Sequence, residues 1–485
     1  MRKRLSMSGA QAIDYWALHA PEAMAVVEGA RRHSFAQANI HLCKIVKALD
    51  AAGVGSDMIV GVSFAGRYMH LLLLLACEVL GATHVSLTLA ELNGEALIAK
   101  RCALFLIERS DLDLSPIGKV VKIDASFVEQ ALAAPLSARD LERLQTPQSP
   151  DLGVRVASSS GTTGEPKRML KTRRMIDGAI ESYEHMLKPV DGPFRYYCLY
   201  GPALGGVYID LVRALNFANE IVFASMAEFM GNPNKFLSYA LLLPKEANTI
   251  LDLCKTHRIN LNLYYVDITG AGVDETFHAE LEAHVSPNVL NVYSSNEMSS
   301  IARLERGDHY VLAPGVDIEI VDDEGREVAF GEQGLIRART AYSVAGYLWD
   351  DELTARTFDH GWFHMNDFGL QPEPGKLVVL GRADDMLNIG GEKISPYPIE
   401  SALNAIDGVS GVAVLQLDNA FGVGTLCVVI EPEPGRDEPA LMILITQVMK
   451  PLNRTFGVRF EPLLPRTDTG KIQRKVLQAR LAPTV

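Results

Sequence analysis

Ser158-Ser-Ser-Gly-Thr-Thr-Gly-Glu-Pro-Lys167 follows the short apolar stretch Val154-Arg-Val-Ala157, so a strand is expected to open into a glycine-rich loop. Gly161 and Gly164 let the backbone turn its N–H groups inward, and the hydroxyls of Ser159, Ser160, Thr162 and Thr163 add donors. Lys167 supplies positive charge at one end. Such a loop is suited to phosphate oxygens. It is not a Walker loop, which needs adjacent Gly-Lys followed by Ser or Thr, whereas Lys167 sits three residues past Gly164. By composition alone the same segment also fits a flexible Ser/Gly linker.

Working outward, the chain before the loop alternates helical and apolar patterns. Residues 35–53 predict an amphipathic helix ended by Gly53; Met58-Ile-Val-Gly-Val-Ser-Phe64 predicts a buried strand; residues 68–80 predict a helix, and Val85-Ser-Leu87 a further strand. This βαβ rhythm points to a largely parallel sheet with helices on both faces. Residues 136–152 are polar and proline-bearing, and predict a linker between subdomains. Past the loop, Ile221-Val-Phe-Ala224 and Val289-Leu-Asn-Val-Tyr293 are strand candidates. Val316-Asp-Ile-Glu-Ile-Val321 alternates in period two, Asp322-Asp-Glu-Gly325 makes a turn and Gly334-Leu-Ile-Arg-Ala-Arg339 follows, which predicts antiparallel hairpins in a separate small β subdomain. The last 100 residues or so mix both patterns and could fold alone.

Composition narrows the function. A chain of 485 residues is too long for one ordinary core, so two or three subdomains are expected. A net charge of −13 argues against a duplex nucleic-acid partner but not against a mononucleotide held by backbone N–H groups and one or two cations. The six cysteines are scattered without C-x-x-C or zinc spacing and read as reduced, mostly buried thiols. The most apolar run, Leu71 to Cys77, is too short to span a bilayer and reads as a buried element. No secretory-type stretch follows Met1-Arg-Lys-Arg4, and a cytoplasmic protein is expected.

The loop gains meaning with four segments downstream: Tyr293-Ser-Ser-Asn-Glu297, Gly361-Trp-Phe-His-Met-Asn-Asp367, Gly381-Arg-Ala-Asp-Asp-Met-Leu-Asn-Ile-Gly-Gly-Glu-Lys-Ile394 and Pro465-Arg-Thr-Asp-Thr-Gly-Lys-Ile-Gln-Arg474. In this order they resemble the adenylate-forming superfamily of acyl- and aryl-CoA synthetases, peptide-synthetase adenylation domains and luciferases. The resemblance spans essentially the whole chain. It implies an α/β (α+β) fold: residues 1–380 with two mostly parallel sheets flanked by helices plus a β subdomain, a hinge at 381–385, and a small mobile α+β domain over 386–485.

The resemblance also implies roles. The loop would grip the ATP β- and γ-phosphates, and Gly270-Ala271-Gly272 would lie beside the adenine with Tyr293 and Ser294 near the base. Glu297 would hold Mg²⁺, since a hard cation wants carboxylate oxygen and bridges phosphates. Asp367 would bind the ribose hydroxyls, with Arg382 nearby. Lys471 would offset charge growing on the α-phosphate during carboxylate attack, which an ammonium does best in the transition state. Asp384 matches the hinge, and Gly390 and Gly391 match the loop lining the tunnel for the thiol arm of CoA or of a carrier-protein phosphopantetheine. The implied reaction is ATP-dependent formation of an acyl-AMP, followed by acyl transfer to a thiol.

Several positions depart from the family pattern. Asn296 replaces the usual Thr before Glu297 but keeps a donor for the α-phosphate; Met365-Asn366 replaces Thr-Gly before Asp367; Ser294 replaces Gly after Tyr293. None removes a catalytic group. In the acyl pocket Tyr200, Ala203 and Gly206 are candidates, Ala203 standing where many relatives place an aromatic or His gate. No aspartate stands where amino-acid-activating members pair the α-ammonium, Asp210 lying some residues later, so an acid without an α-amine is favoured. The alternatives are a stand-alone enzyme loading a carrier protein, a silent homologue used as a scaffold, and a luciferase-like oxygenase. The four retained groups Glu297, Asp367, Arg382 and Lys471 argue against the silent homologue.

Overall fold

The computed structural model describes residues 7–93, 96–108, 114, 117–159, 166–187, 194–231, 238–270, 272–273, 275–307, 309–389, 392–418, 424–452, 454–466 and 472–481. Two large sheets carry most of the chain. The six-stranded sheet runs Lys119–Lys122, Leu104–Ile107, Ile59–Ser63, Thr83–Ser86, Gly153–Ser159, Lys167–Thr172. All its pairs are parallel except the last, a hairpin whose tip is the glycine-rich loop.

The helices predicted near the N-terminus form at Phe35–Ala51 and Arg67–Val79. The first starts with a reciprocal cap, in which Ser34 accepts from the Gln37 amide and the Gln37 side chain from the Ser34 amide. Leu71 to Cys77 is buried throughout, as its uniform apolarity requires, and packs in one core with Val60 and Val62 of one sheet and Tyr196, Ile221 and Tyr239 of the other. These helices and Gly205–Asn216 join the two sheets through a single core.

Residues 136–152 depart from expectation. They contain a helix, Ala138–Glu142, and a 3₁₀ turn, Arg143–Gln145, because Ser137 and Asp140 cap each other and Leu144 is buried. The same six-stranded sheet holds strands from both sides of this stretch, so it does not separate two subdomains.

The second sheet has a parallel half, from Met24–Glu28 through Glu220–Phe223, Arg195–Cys198, Ser238–Leu242 and Tyr265–Ile268 to Val289–Ser295. Val289–Ser295 then turns back antiparallel onto Ser299–Arg306, and the sheet continues through His309–Leu312, Lys376–Arg382, Trp362–Leu370, Gln333–Thr340 and Val316–Val321. The predicted hairpin of Val316–Val321 with Gln333–Thr340 is present. It is hydrogen-bonded into the large sheet, so the β region is not a separate sheet, although it buries its own core around Met298, Ile301, Ile336 and Leu377. The last part of the chain builds a three-stranded sheet (Val409–Asp418, Gly424–Pro432, Phe456–Phe460) covered by helices Pro396–Asn404 and Glu438–Met449, with its own core. All six cysteines are free and buried. Among the described residues no helix is long and apolar enough to cross a membrane.

Candidate active site

The strands that end near the glycine-rich loop bring the first cluster together. Ser159 and Lys167 are register partners at the base of the loop, whose residues Ser160, Gly161, Thr162, Thr163 and Gly164 lie outside the described residues. Asn296, Glu297 and Met298 make the turn between Val289–Ser295 and Ser299–Arg306. Asn296 donates from Nδ2 to the Ser158 carbonyl at 3.0 Å, which ties this turn to the hairpin of the other sheet. Glu297 is 6% exposed and accepts from the Tyr347 hydroxyl at 2.9 Å. Lys167 places its Nζ 5.1 Å from the centre of that tyrosine ring, so a cation, an aromatic hydroxyl and a carboxylate stand in one row.

A second cluster sits where Trp362–Leu370 pairs with Lys376–Arg382. Asp367 and Arg382 are register partners, and Arg382 Nη1 donates to Asp367 Oδ1 at 3.1 Å. Tyr293 donates its hydroxyl to Asp367 Oδ2. Burial pushes the Asp367 carboxyl up, and Arg382 and Tyr293 pull it back. Gly270, at φ +89°, and Gly272 flank the turn after Tyr265–Ile268; Ala271 lies outside the described residues. At Gly272 a Cβ would stand 3.0 Å from the Tyr397 hydroxyl, so the C-terminal segment packs closely against this turn through that ring. Asp384 sits in the 3₁₀ turn Ala383–Asp385. Gly390, Gly391 and Lys471 lie outside the described residues.

A cavity of about 430 Å³ opens beside the Asn296 turn. Tyr200 and Gly206, two of the three acyl-pocket candidates, line it, and so do Ser294 and Asn296. Gly206 has no atom within 4 Å of a built Cβ, so it faces open space. Ala203 does not fill the gate position with its side chain. It is exposed and offers its carbonyl to Arg155, while the neighbouring Leu204 lines the cavity. Asp210 reaches the wall but accepts from Arg213 Nε at 3.2 Å and from the Tyr239 hydroxyl at 3.4 Å, which leaves it a poor partner for an α-ammonium. Burial pushes Asp267, which accepts from the Tyr183 hydroxyl, up to about 7.

A model of the AMP-binding enzyme family matches residues 13–348 of this chain. The chain belongs to that family. An indoleacetate–CoA ligase of Aromatoleum aromaticum is 28% identical over 346 residues, covering 68% of this chain and 66% of the relative. A 2-hydroxy-7-methoxy-5-methyl-1-naphthoate–CoA ligase of Streptomyces carzinostaticus is 24% identical over 95% of this chain and 90% of its own length. The solved structure of the anthranilate CoA ligase AuaEII with anthranoyl-AMP superposes with a TM-score of 0.84 at 18% identity, over 99% of this chain and 98% of that one. The fold is therefore that of adenylate-forming enzymes.

Within this family member, three residues near the clusters carry polar chemistry that reading the motifs overlooked. Tyr347 is one; a Gly-Tyr pair before Asp350, the cap of helix Asp351–Thr357, was its only signal. Arg155 and Lys171 are the others, Arg155 standing between Val154 and Val156 and Lys171 following Met169 and Leu170.

Proposed function

We propose that this enzyme activates a carboxylic acid with ATP to an acyl-adenylate, releasing pyrophosphate, and passes the acyl group to the thiol of CoA. The observation carrying the proposal is that Lys167–Tyr347–Glu297 and Tyr293–Asp367–Arg382 are two preassembled polar clusters, and that the end of the strand joining them, Ser294 and Ser295 with Asn296, lines a cavity. One cluster suits phosphates and the other a ribose, and the cavity offers space for an acyl group.

Glu297 would hold Mg²⁺, and a single carboxylate fits that ion. Among the described residues no group of three or more His, Cys, Asp or Glu forms a metal cage, and Mg²⁺ is commonly held by one or two carboxylates plus substrate phosphates. When bound, it would neutralise charge on the phosphates. The loop 159–164 and Lys167 would hold the β- and γ-phosphates, Asn296 would donate to the α-phosphate, and Asp367 would accept from the ribose hydroxyls. Lys471 would stabilise charge developing on the α-phosphate as the carboxylate attacks.

The domains follow the same reading: residues 1–380 would bind the substrates, 381–385 would form the hinge, and 386–485 would carry Lys471 and then rotate to present the thiol tunnel at Gly390 and Gly391. Buried free cysteines fit a reducing compartment, and the cytoplasm is the proposed location. A carrier-protein phosphopantetheine ends in the same thiol arm and is the other acceptor to test.

The test is carboxylate-dependent ATP–pyrophosphate exchange over fatty, aryl and amino acids, then thioester formation with CoA or a carrier protein. Lys471→Ala is expected to lower exchange by about 10²–10³-fold, the usual effect of removing one preorganised transition-state donor. Absence of exchange with every acid, with ATP demonstrably bound, sinks the proposal.

A further inference from the structure

Arg155 and Lys171 are register partners in the hairpin Gly153–Ser159 with Lys167–Thr172. Direct partners in an antiparallel ladder project from the same face, and like charges so placed repel. Both are buried, at 3% and 5% exposure, and both line the cavity.

Neither makes an ion pair with a described residue. Arg155 spends one nitrogen, Nη2, on the Ala203 carbonyl and lies 4.9 Å over the Tyr208 ring. Its Nε and Nη1 are buried with no partner. Lys171 reaches only the Ser299 hydroxyl, at 3.4 Å. The acids nearest in charge are committed elsewhere. Glu78 is shared by His84 at 3.4 Å and Arg173 at 3.6 Å, and Glu297 accepts from Tyr347. Burial accordingly lowers Lys171 to about 8 and Arg155 to about 10. Two adjacent buried cations with unused donors are costly unless an anion completes them.

We infer that Arg155 and Lys171 form a subsite for a second anionic group on the acid, so that the substrate is a dicarboxylate or a sulfo-carboxylate. The inference rests on the adenylation reading, and the two cations line the same cavity as Asn296, the proposed α-phosphate donor.

The experiment compares ATP–pyrophosphate exchange for matched pairs: succinate against butyrate, glutarate against pentanoate, and 3-sulfopropanoate against butyrate. Thermal shift with each acid alone is the second readout. Wild type should prefer the dianionic member. Lys171→Met should lower the dianion-to-monoanion ratio of kcat/KM by about 10- to 100-fold, the size of one lost hydrogen bond to a charged group. Lys171→Arg should retain part of the preference. Should Lys171→Met fail to fold, Arg155→Met reads the same ratio. A wild type that prefers the monoacids, or a ratio unmoved by the variants, overturns the subsite and leaves adenylation standing. If no acid supports exchange but the dianions alone stabilise wild type and not Lys171→Met, the subsite stands and adenylation falls. If no acid supports exchange and none stabilises, both fall.

Discussion

Asn366 donates from Nδ2 to Asp384 Oδ2 at 2.8 Å, which joins the residue just before Asp367, the proposed ribose ligand, to the proposed hinge. Asn366 has a left-handed backbone, φ +57°, a conformation best tolerated by glycine and next best by asparagine. The replacement of the family's usual glycine therefore keeps the backbone and adds a latch. Asn366→Gly removes the latch with no strain. If Asp384 is the hinge, this substitution should alter the ratio of thioester formation to adenylation by about two- to tenfold, as loss of one charge-assisted hydrogen bond allows. Single-turnover rates of the two half-reactions measure the ratio, and an unchanged ratio removes the latch from the hinge's control.

Tyr347 fixes one oxygen of Glu297 through its hydroxyl at 2.9 Å. Tyr347→Phe keeps the ring under Lys167 and frees that oxygen. We expect the half-saturating Mg²⁺ concentration in the exchange assay to rise by about 3- to 30-fold, consistent with losing one hydrogen bond to a buried carboxylate. Equal Mg²⁺ dependence in both proteins means that Glu297 is not positioned by Tyr347 for a metal.

Burial holds the Asp267 carboxyl at about 7, above the ~3.9 of an unfolded chain. A carboxyl raised on folding gives its full stabilisation below the unfolded value and loses it as pH rises through the folded value. Asp267→Asn cannot ionise and escapes that loss. The variant should gain on wild type by about 1–3 kcal/mol between pH 5 and pH 8, measured by urea unfolding at both. A difference that stays flat with pH excludes a raised Asp267.

Local patterns carried well from sequence to structure. The helices at Phe35–Ala51 and Arg67–Val79, the hairpin of Val316–Val321 with Gln333–Thr340, and the strand before the glycine-rich loop all stand where periodicity and turn residues put them. The antiparallel β region was harder to place. Which strands Val289–Ser295 pairs with on its two edges is a long-range matter, and it is this strand that merges the parallel and antiparallel parts into one sheet. Residues 136–152 misled because polarity is shared by linkers and by short capped helices.

The candidate site divides the same way. Its motif residues could be nominated from sequence because the motifs that carry the family resemblance keep them at close spacing in the chain. Sequence alone thus determined the family resemblance, the glycine-rich loop, and the choice of Glu297, Asp367 and Arg382. Only the tertiary structure decided that Tyr347 braces Glu297, that Asn366 holds Asp384, and that Arg155 and Lys171 line one cavity with no ion pair to a described residue. The reason is physical. Those relationships depend on which strands lie side by side and which faces close on one another, and pairing between distant segments leaves no fixed spacing in the chain to read.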